Sequence, residues 1–157
     1  MKIDQLDREI VKLLARDARM SGEKIARKLK TTPGTVRRRL HELLKNKVLH
    51  IVGVIDPVKF GYVLSAFIGF DVEHDKLNSA LNNLTSRPEV SWISTTTGRF
   101  DLVCLVSLGS TQQLADFIEE VMAQIEGLRN CETFVCLRTT KPKWSFPLTD
   151  DNADRDS

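Results

Sequence analysis

The chain has 157 residues, 41% of them hydrophobic and 28% charged, the range of an ordinary globular protein of one or two small domains. Its net charge of +2 is unevenly spread: residues 1–50 carry 14 Lys and Arg against 6 Asp and Glu, whereas residues 51–157 carry 9 against 15. No apolar run approaches the ~18 residues of a membrane span, the N-terminus lacks the apolar block of a signal peptide, and the cysteines form no CxxC pair, which argues against a disulfide framework or a zinc site. The basic half is suited to a polyanion, the protein is expected in the cytoplasm, and Cys104, Cys131 and Cys136 are expected as buried, reduced thiols.

In chain order, Asp4 can cap a first helix in which Leu6, Ile10, Leu13 and Leu14 recur at helical spacing until the pattern breaks near Asp17–Ser21. A second short helix after Ser21 puts Ile25, Ala26 and Leu29 on one face. Lys30-Thr31-Thr32 is then a turn, with Thr32 as hydroxyl cap and Pro33 at the first helical position, where its missing N–H costs nothing. The third helix runs from Pro33 to about Asn46 on a stripe of Val36, Leu40, Leu43 and Leu44. Three short helices with a tight turn before the last make a helix-turn-helix, which assigns residues 1–50 to DNA binding.

Residues 48–62 are β-branched and apolar around Gly53, with turn signals at Asp56-Pro57 and Gly61; they read as a strand or an extended linker, with 51–62 joining two domains. A strand follows through Leu64, Ala66, Ile68, Phe70 and Val72, then a helix through Leu77, Ala80, Leu81 and Leu84 that stops before Pro88. Val90–Thr96 and Leu102–Leu108 are two strands, Leu114, Ile118, Val121 and Ile125 mark a helix closed by Gly127, and Cys131–Leu137 is a last strand. The order βαββαβ over residues 63–140 predicts an α+β, ferredoxin-like domain with both helices on one face of a four-stranded antiparallel sheet. Residues 141–157 form a tail, and its last nine residues, rich in aspartate, are expected to be disordered.

Projected at 100° per residue, the third helix leaves Gly34, Arg38, His41, Glu42 and Lys45 opposite its apolar stripe, with Arg37 and Arg39 on the flanks. Only the major groove admits a helix and displays a distinct pattern for each base pair. Thr35 and Arg38, with His41, are therefore assigned to base edges, and Lys30, Arg37, Arg39 and Lys45 to phosphates, beside the Thr32 cap. For Arg39 an intramolecular salt bridge is an equal alternative.

Ile3-Asp4-Gln5-Leu6-Asp7 with Ile10 and Leu13-Leu14, Asp17-Ala18-Arg19, Thr32-Pro33-Gly34-Thr35-Val36 with Arg39, Asp56-Pro57 with Gly61, and Thr97-Gly98-Arg99-Phe100-Asp101 fall in this order on these elements. In them the chain resembles the Lrp/AsnC (leucine-responsive, feast/famine) regulators from residue 2 to about 140. The resemblance implies a winged helix-turn-helix, a βαββαβ domain that pairs into dimers through its sheet, assembly of those dimers, and an amino acid or related metabolite as effector. It places the effector between dimers on the loop Gly98, Arg99, Phe100 and Asp101. Glycine there lets backbone N–H groups approach a carboxylate, and the Asp101 carboxylate can receive an α-amino group, although Gly98 is also readable as a hairpin glycine and Asp101 as a turn aspartate bonded to its own backbone. Ser94, Thr133 and Val135 are candidate pocket walls, each equally readable as an ordinary sheet residue. Arg99 could attract an acidic effector or face solvent. One departure is Lys47 where such regulators usually carry glycine, so Asn46 is expected to make the left-handed turn that ends the third helix.

An enzyme on the same architecture, as in siroheme decarboxylases, would need histidines that Ser91–Thr95 lacks, and His41, His50 and His74 are scattered. Cys131 and Cys136 fall on opposite faces of a strand. No catalytic residue, cofactor or metal is therefore expected. A second rival is an architectural DNA binder without sequence preference or effector.

Overall fold

The computed structural model describes residues 2–140; the expectation for residues 141–157 lies outside them. Two compact units divide the chain at Gly53/Val54.

The first unit holds α1 (Gln5–Arg16), α2 (Gly22–Lys28) and α3 (Pro33–Lys45). All three start as their caps dictate. The Asp4 carboxylate accepts the Asp7 N–H at 3.0 Å while the Asp7 carboxylate accepts the Asp4 N–H at 3.1 Å, a capping box built from two aspartates. Ser21 accepts from Lys24 at 3.3 Å and Thr32 from Thr35 at 3.2 Å. Ile10, Leu14, Ile25, Ala26, Val36 and Leu43 form the core; Leu40 packs at its margin and Leu44, at the edge of the α3 stripe, is exposed.

Both α2 and α3 end in a Schellman turn. Thr31 donates to the Ala26 carbonyl across Lys30, at φ 52°, and Val48 donates to the Leu43 carbonyl across Lys47, at φ 56°. Asn46 stays at φ −84° and its side-chain amide donates to the Glu42 carbonyl at 2.8 Å. The left-handed residue is thus Lys47, not the expected Asn46, because this turn falls on the second residue after the last helical one, and α3 runs through Lys45.

Residues 49–56 form neither helix nor strand, and Val58–Phe60 is a 3-10 turn closed by Gly61 at φ 87°. Among the described residues, no strand stands between α3 and the sheet, so the implied wing is not a β-hairpin here.

The second unit is β1 (Leu64–Val72), α4 (Leu77–Thr85), β2 (Val90–Thr95), β3 (Leu102–Leu108), α5 (Thr111–Gln124) and β4 (Leu128–Val135). Its antiparallel sheet has the order β2-β3-β1-β4. Ala80, Leu84, Leu114, Phe117, Val121 and Ile125 of the two helices pack on Ala66, Ile68, Phe70, Val72, Leu102, Cys104, Val106 and Leu108, so both helices cover one face. β4 begins at Leu128, three residues before the expected Cys131. Gly127, at φ 75°, turns the chain straight into pairing, and a bulge at Asp71/Val72 brings Val72 opposite Leu128. All three cysteines are free thiols; burial pushes Cys104 up to about 12, whereas Cys131 and Cys136 are half-buried, not buried.

The second sheet face carries no element of this unit. Register aligns Trp92, Leu105, Phe67 and Phe134 in one row across all four strands, and Trp92, Phe67 and Phe134 are 46%, 40% and 53% exposed. The next row is Ser94, Val103, Gly69 and Glu132.

Candidate functional site

The exposed side of α3 is close to its projection. Arg37, Arg38, His41 and Lys45 are exposed, as is Lys30 in the preceding turn. Thr32 and Thr35 sit at the helix start, with their hydroxyls 2.9 Å apart. Arg38 reaches one turn along to Glu42, Nη1 to Oε1 2.9 Å, both partly exposed. Among the described residues, no ion pair engages Lys30, Arg37, His41, Lys45 or Lys47.

Arg39 is different. Its Nη2 lies 2.6 Å from Asp4 Oδ2 and its Nη1 3.2 Å from Asp7 Oδ2, with the Asp7 side chain fully buried. The guanidinium therefore spans from α3 to the capping box of α1, which is the alternative the sequence left open. The Asp4 carboxyl is held below its ordinary value, chiefly by the Asp7 N–H and then by the Arg39 charge.

In the second unit the loop between β2 and β3 folds onto the open sheet face. Gly98 takes φ 108°, where a side chain would be strained. Phe100 lies over Gly69, so close that a Cβ there would stand 2.5 Å from the ring, and its ring meets Phe134 edge-on, 6.4 Å between centroids. Arg99 pairs with Glu132 and passes over the Phe100 ring at 5.4 Å, so its charge is offset within the chain. One Asp101 oxygen accepts the Val72 N–H at 2.9 Å beside the β1 bulge, and the Asp101 N–H donates to the Phe70 carbonyl at 2.9 Å. Asp101 thus serves the fold with one carboxylate oxygen.

Ser94 shares the open face with this loop. Thr133 and Val135 do not: paired with Ile68 and Ala66, they stand on the helix side of β4, because residues directly opposite in an antiparallel pair share a face. A cleft of about 380 Å³ in this unit also lies elsewhere, between Glu89 and the α5 residues Gln113, Asp116, Phe117 and Glu120. Among the described residues no three His, Cys, Asp or Glu side chains gather as metal ligands, and no helix is long and apolar enough to cross a membrane.

Residues 3–44 match the AsnC-type helix-turn-helix domain and residues 65–145 the Lrp/AsnC ligand binding domain. An uncharacterised HTH-type transcriptional regulator of Pyrococcus abyssi is 35% identical over 147 residues, 93% of this chain and 92% of that protein. The chain belongs to the Lrp/AsnC family of transcriptional regulators. Escherichia coli AsnC superposes with a TM-score of 0.84 at 25% identity, over 91% of this chain and 97% of that one. A Neisseria meningitidis regulator solved in complex with L-methionine gives 0.86 at 19% identity, over 94% and 97%. The Lrp/AsnC fold, with its DNA-binding and ligand-binding domains, is therefore the frame in which α3 and the 97–101 loop are read.

Four residues to which the sequence alone assigned no role hold the expected ones in place. Asp7 anchors Arg39, Glu132 offsets Arg99, and Gly69 and Phe134 seat Phe100. Only Gly69 carried a signal, since a glycine inside a strand marks a close approach of another group.

Proposed function

We propose that this Lrp/AsnC regulator reads a specific DNA sequence through α3, as a dimer formed on the open sheet face, and that a small amino acid on the loop Gly98–Asp101 modulates its assembly in the cytoplasm. The observation that carries the reading is the outer side of α3, where Arg37, Arg38, His41 and Lys45 stand exposed on a helix anchored from behind. A helix of this shape fits the major groove; Thr35, Arg38 and His41 take base edges, and Thr32, Lys30, Arg37 and Lys45 the phosphates. Arg39 is assigned to holding the helix rather than to DNA, in keeping with its two ion pairs.

One such helix covers too few bases to specify a site, so two are needed, about 10 bp apart on one side of the duplex. The Trp92-Leu105-Phe67-Phe134 row supplies the apolar area for pairing.

For the effector, backbone N–H groups around Gly98 would take a carboxylate, and the second Asp101 oxygen an ammonium, while Ser94 and Glu132 line the same face. The Arg99–Glu132 pair leaves no net charge to favour an acidic or a basic side chain, which suits a neutral amino acid. The Neisseria neighbour's L-methionine supports that class. Thr133 and Val135, on the helix side of β4, are not part of this site.

The test has two arms. Selection from a random duplex pool, followed by footprinting, should return a pseudo-palindrome; recovery of unrelated sequences at equal affinity would favour the architectural reading. A thermal-shift screen of the twenty amino acids should show one ligand, or a few, adding about 2.7 kcal/mol of stability at 100 times its dissociation constant. No shift with any of them would remove the amino-acid effector.

A further inference from the structure

Five described residues hold a left-handed backbone at positive φ. Three, Gly61, Gly98 and Gly127, are glycines in the second unit; the other two, Lys30 and Lys47, lie in the helix-turn-helix. Glycine adopts this conformation freely and asparagine readily, but for a long side chain it is uncommon and costs stability. Lysine nevertheless occupies the left-handed position at the end of α2 and again at the end of α3, within the same Schellman geometry. Both lysines are exposed, and no described acidic group pairs with either. Within the helix-turn-helix a lysine at those positions can complement the negative end of a helix dipole, and a charge fixed there would also serve an anionic ligand.

The two positions bracket α3. Its 13 residues give an axis of about 20 Å, so two fixed cationic residues stand about that far apart at its ends. A helix lying along the major groove brings both ends close to the phosphate backbones that line it. Because each lysine is anchored by a cap on either side of the reading helix, its Cα is held fixed and only the side chain has to be ordered on binding.

We infer that Lys47, together with Lys30, clamps the DNA backbone by holding phosphates at the two ends of α3, Lys47 being a phosphate-binding residue kept at a backbone position better suited to glycine or asparagine. This rests on the reading of α3 as the DNA-contacting helix. The alternative is that the Lys47 ammonium merely complements the negative end of the α3 dipole.

The test compares the full-length protein with Lys47→Asn, Lys47→Arg and Lys30→Asn. Each is titrated across salt concentration on a duplex selected by the wild type and on a random duplex of equal length. Lys47→Asn should weaken both duplexes by the same factor, about fivefold to eightfold per DNA-bound chain at 0.1 M salt, and lower the salt slope by about one per chain. Lys47→Arg should keep the wild-type slope, and Lys30→Asn should match Lys47→Asn. In the absence of DNA, Lys47→Asn should melt as high as the wild type or up to about 4 °C higher, since asparagine relieves the backbone. An unchanged slope and affinity, in a preparation whose wild type binds DNA, would overturn the clamp alone. A lowered melting temperature with unchanged DNA binding would establish the dipole role in its place. A wild type that binds neither duplex would overturn the DNA reading itself, and the clamp with it.

Discussion

Replacing Arg39 by methionine should destabilise the helix-turn-helix far more than loss of a surface ion pair. In the native unit the guanidinium is the counter-ion of the fully buried Asp7 carboxylate, and it also binds Asp4. Asp7 Oδ1 and Arg39 Nε are already buried without a hydrogen-bond partner, so this cluster has no spare donor to offer once the arginine is gone. Breaking a buried pair from one side costs roughly 3–5 kcal/mol, because the remaining charge stays buried and uncompensated. Since the Arg39 side chain is 23% exposed and Asp4 more so, water screens part of the loss, and about 2–4 kcal/mol is the appropriate expectation. A double-mutant cycle with Asp7→Asn separates the pair from its surroundings: Asp7→Asn/Arg39→Met should be less destabilised than the sum of the single changes, with a coupling of at least ~1.5 kcal/mol. Urea titration at pH 7, read from the midpoint at constant slope, measures each corner. If Arg39→Met lies within about 0.5 kcal/mol of the wild type yet lowers the salt slope of DNA binding, Arg39 is a phosphate contact and the clasp is incidental.

Other consequences follow from the same geometry. Gly69→Ala would place a Cβ 2.5 Å from the Phe100 ring. It should cost about 1–3 kcal/mol, as overpacking does, and loosen the 97–101 loop, read as lost amide protection at Thr96 and Asp101; intact protection would count against the seating of Phe100. Glu42→Gln releases Arg38 and removes a carboxylate from the reading side of α3. It should raise affinity for any duplex severalfold with less than about 0.5 kcal/mol change in stability, and a fall in affinity would contradict the proposed orientation. The lowered Asp4 value means that its contribution is complete above the ordinary 3.8 and lost only as pH falls through the lower folded value. Amide protection in the first turn of α1 should therefore persist from pH 7 to about 4 and collapse in stronger acid; loss between pH 7 and 5 would be inconsistent with it.

Much of the architecture is legible in the sequence because the local signals agree. Asp4, Ser21 and Thr32 each mark a helix start by accepting a backbone N–H three residues on, and the alternation in β1 and β3 separates the buried face from the open one. The misplacements have a common origin in pairing and closure over distance. β4 begins early because the bulge at Asp71/Val72 admits Leu128 to the ladder, and no pattern within 128–135 announces that. Arg39 sits on a flank of α3 by periodicity alone, and its destination depends on carboxylates 32 and 35 positions earlier in the chain, Asp7 and Asp4. Propensity favours Asn46 over Lys47 for the left-handed turn, but the bond from Val48 to the Leu43 carbonyl fixes which residue must take it. In the effector loop the motif residues were identifiable, whereas Gly69, Glu132 and Phe134 became relevant only once register placed them under it.

Arg38→Ala distinguishes base reading by α3 from simple attraction to the DNA backbone. Its equilibrium affinity is to be measured beside the wild type on the selected duplex, on a set with one substituted base pair at each position, and on random DNA. Arg38→Ala should lose about 1–3 kcal/mol on the selected duplex, relax the preference at one base position, and lose much less on random DNA, because Arg38 supplies a base contact rather than a backbone charge. An equal loss on selected and random duplexes, with every base preference retained, would contradict it.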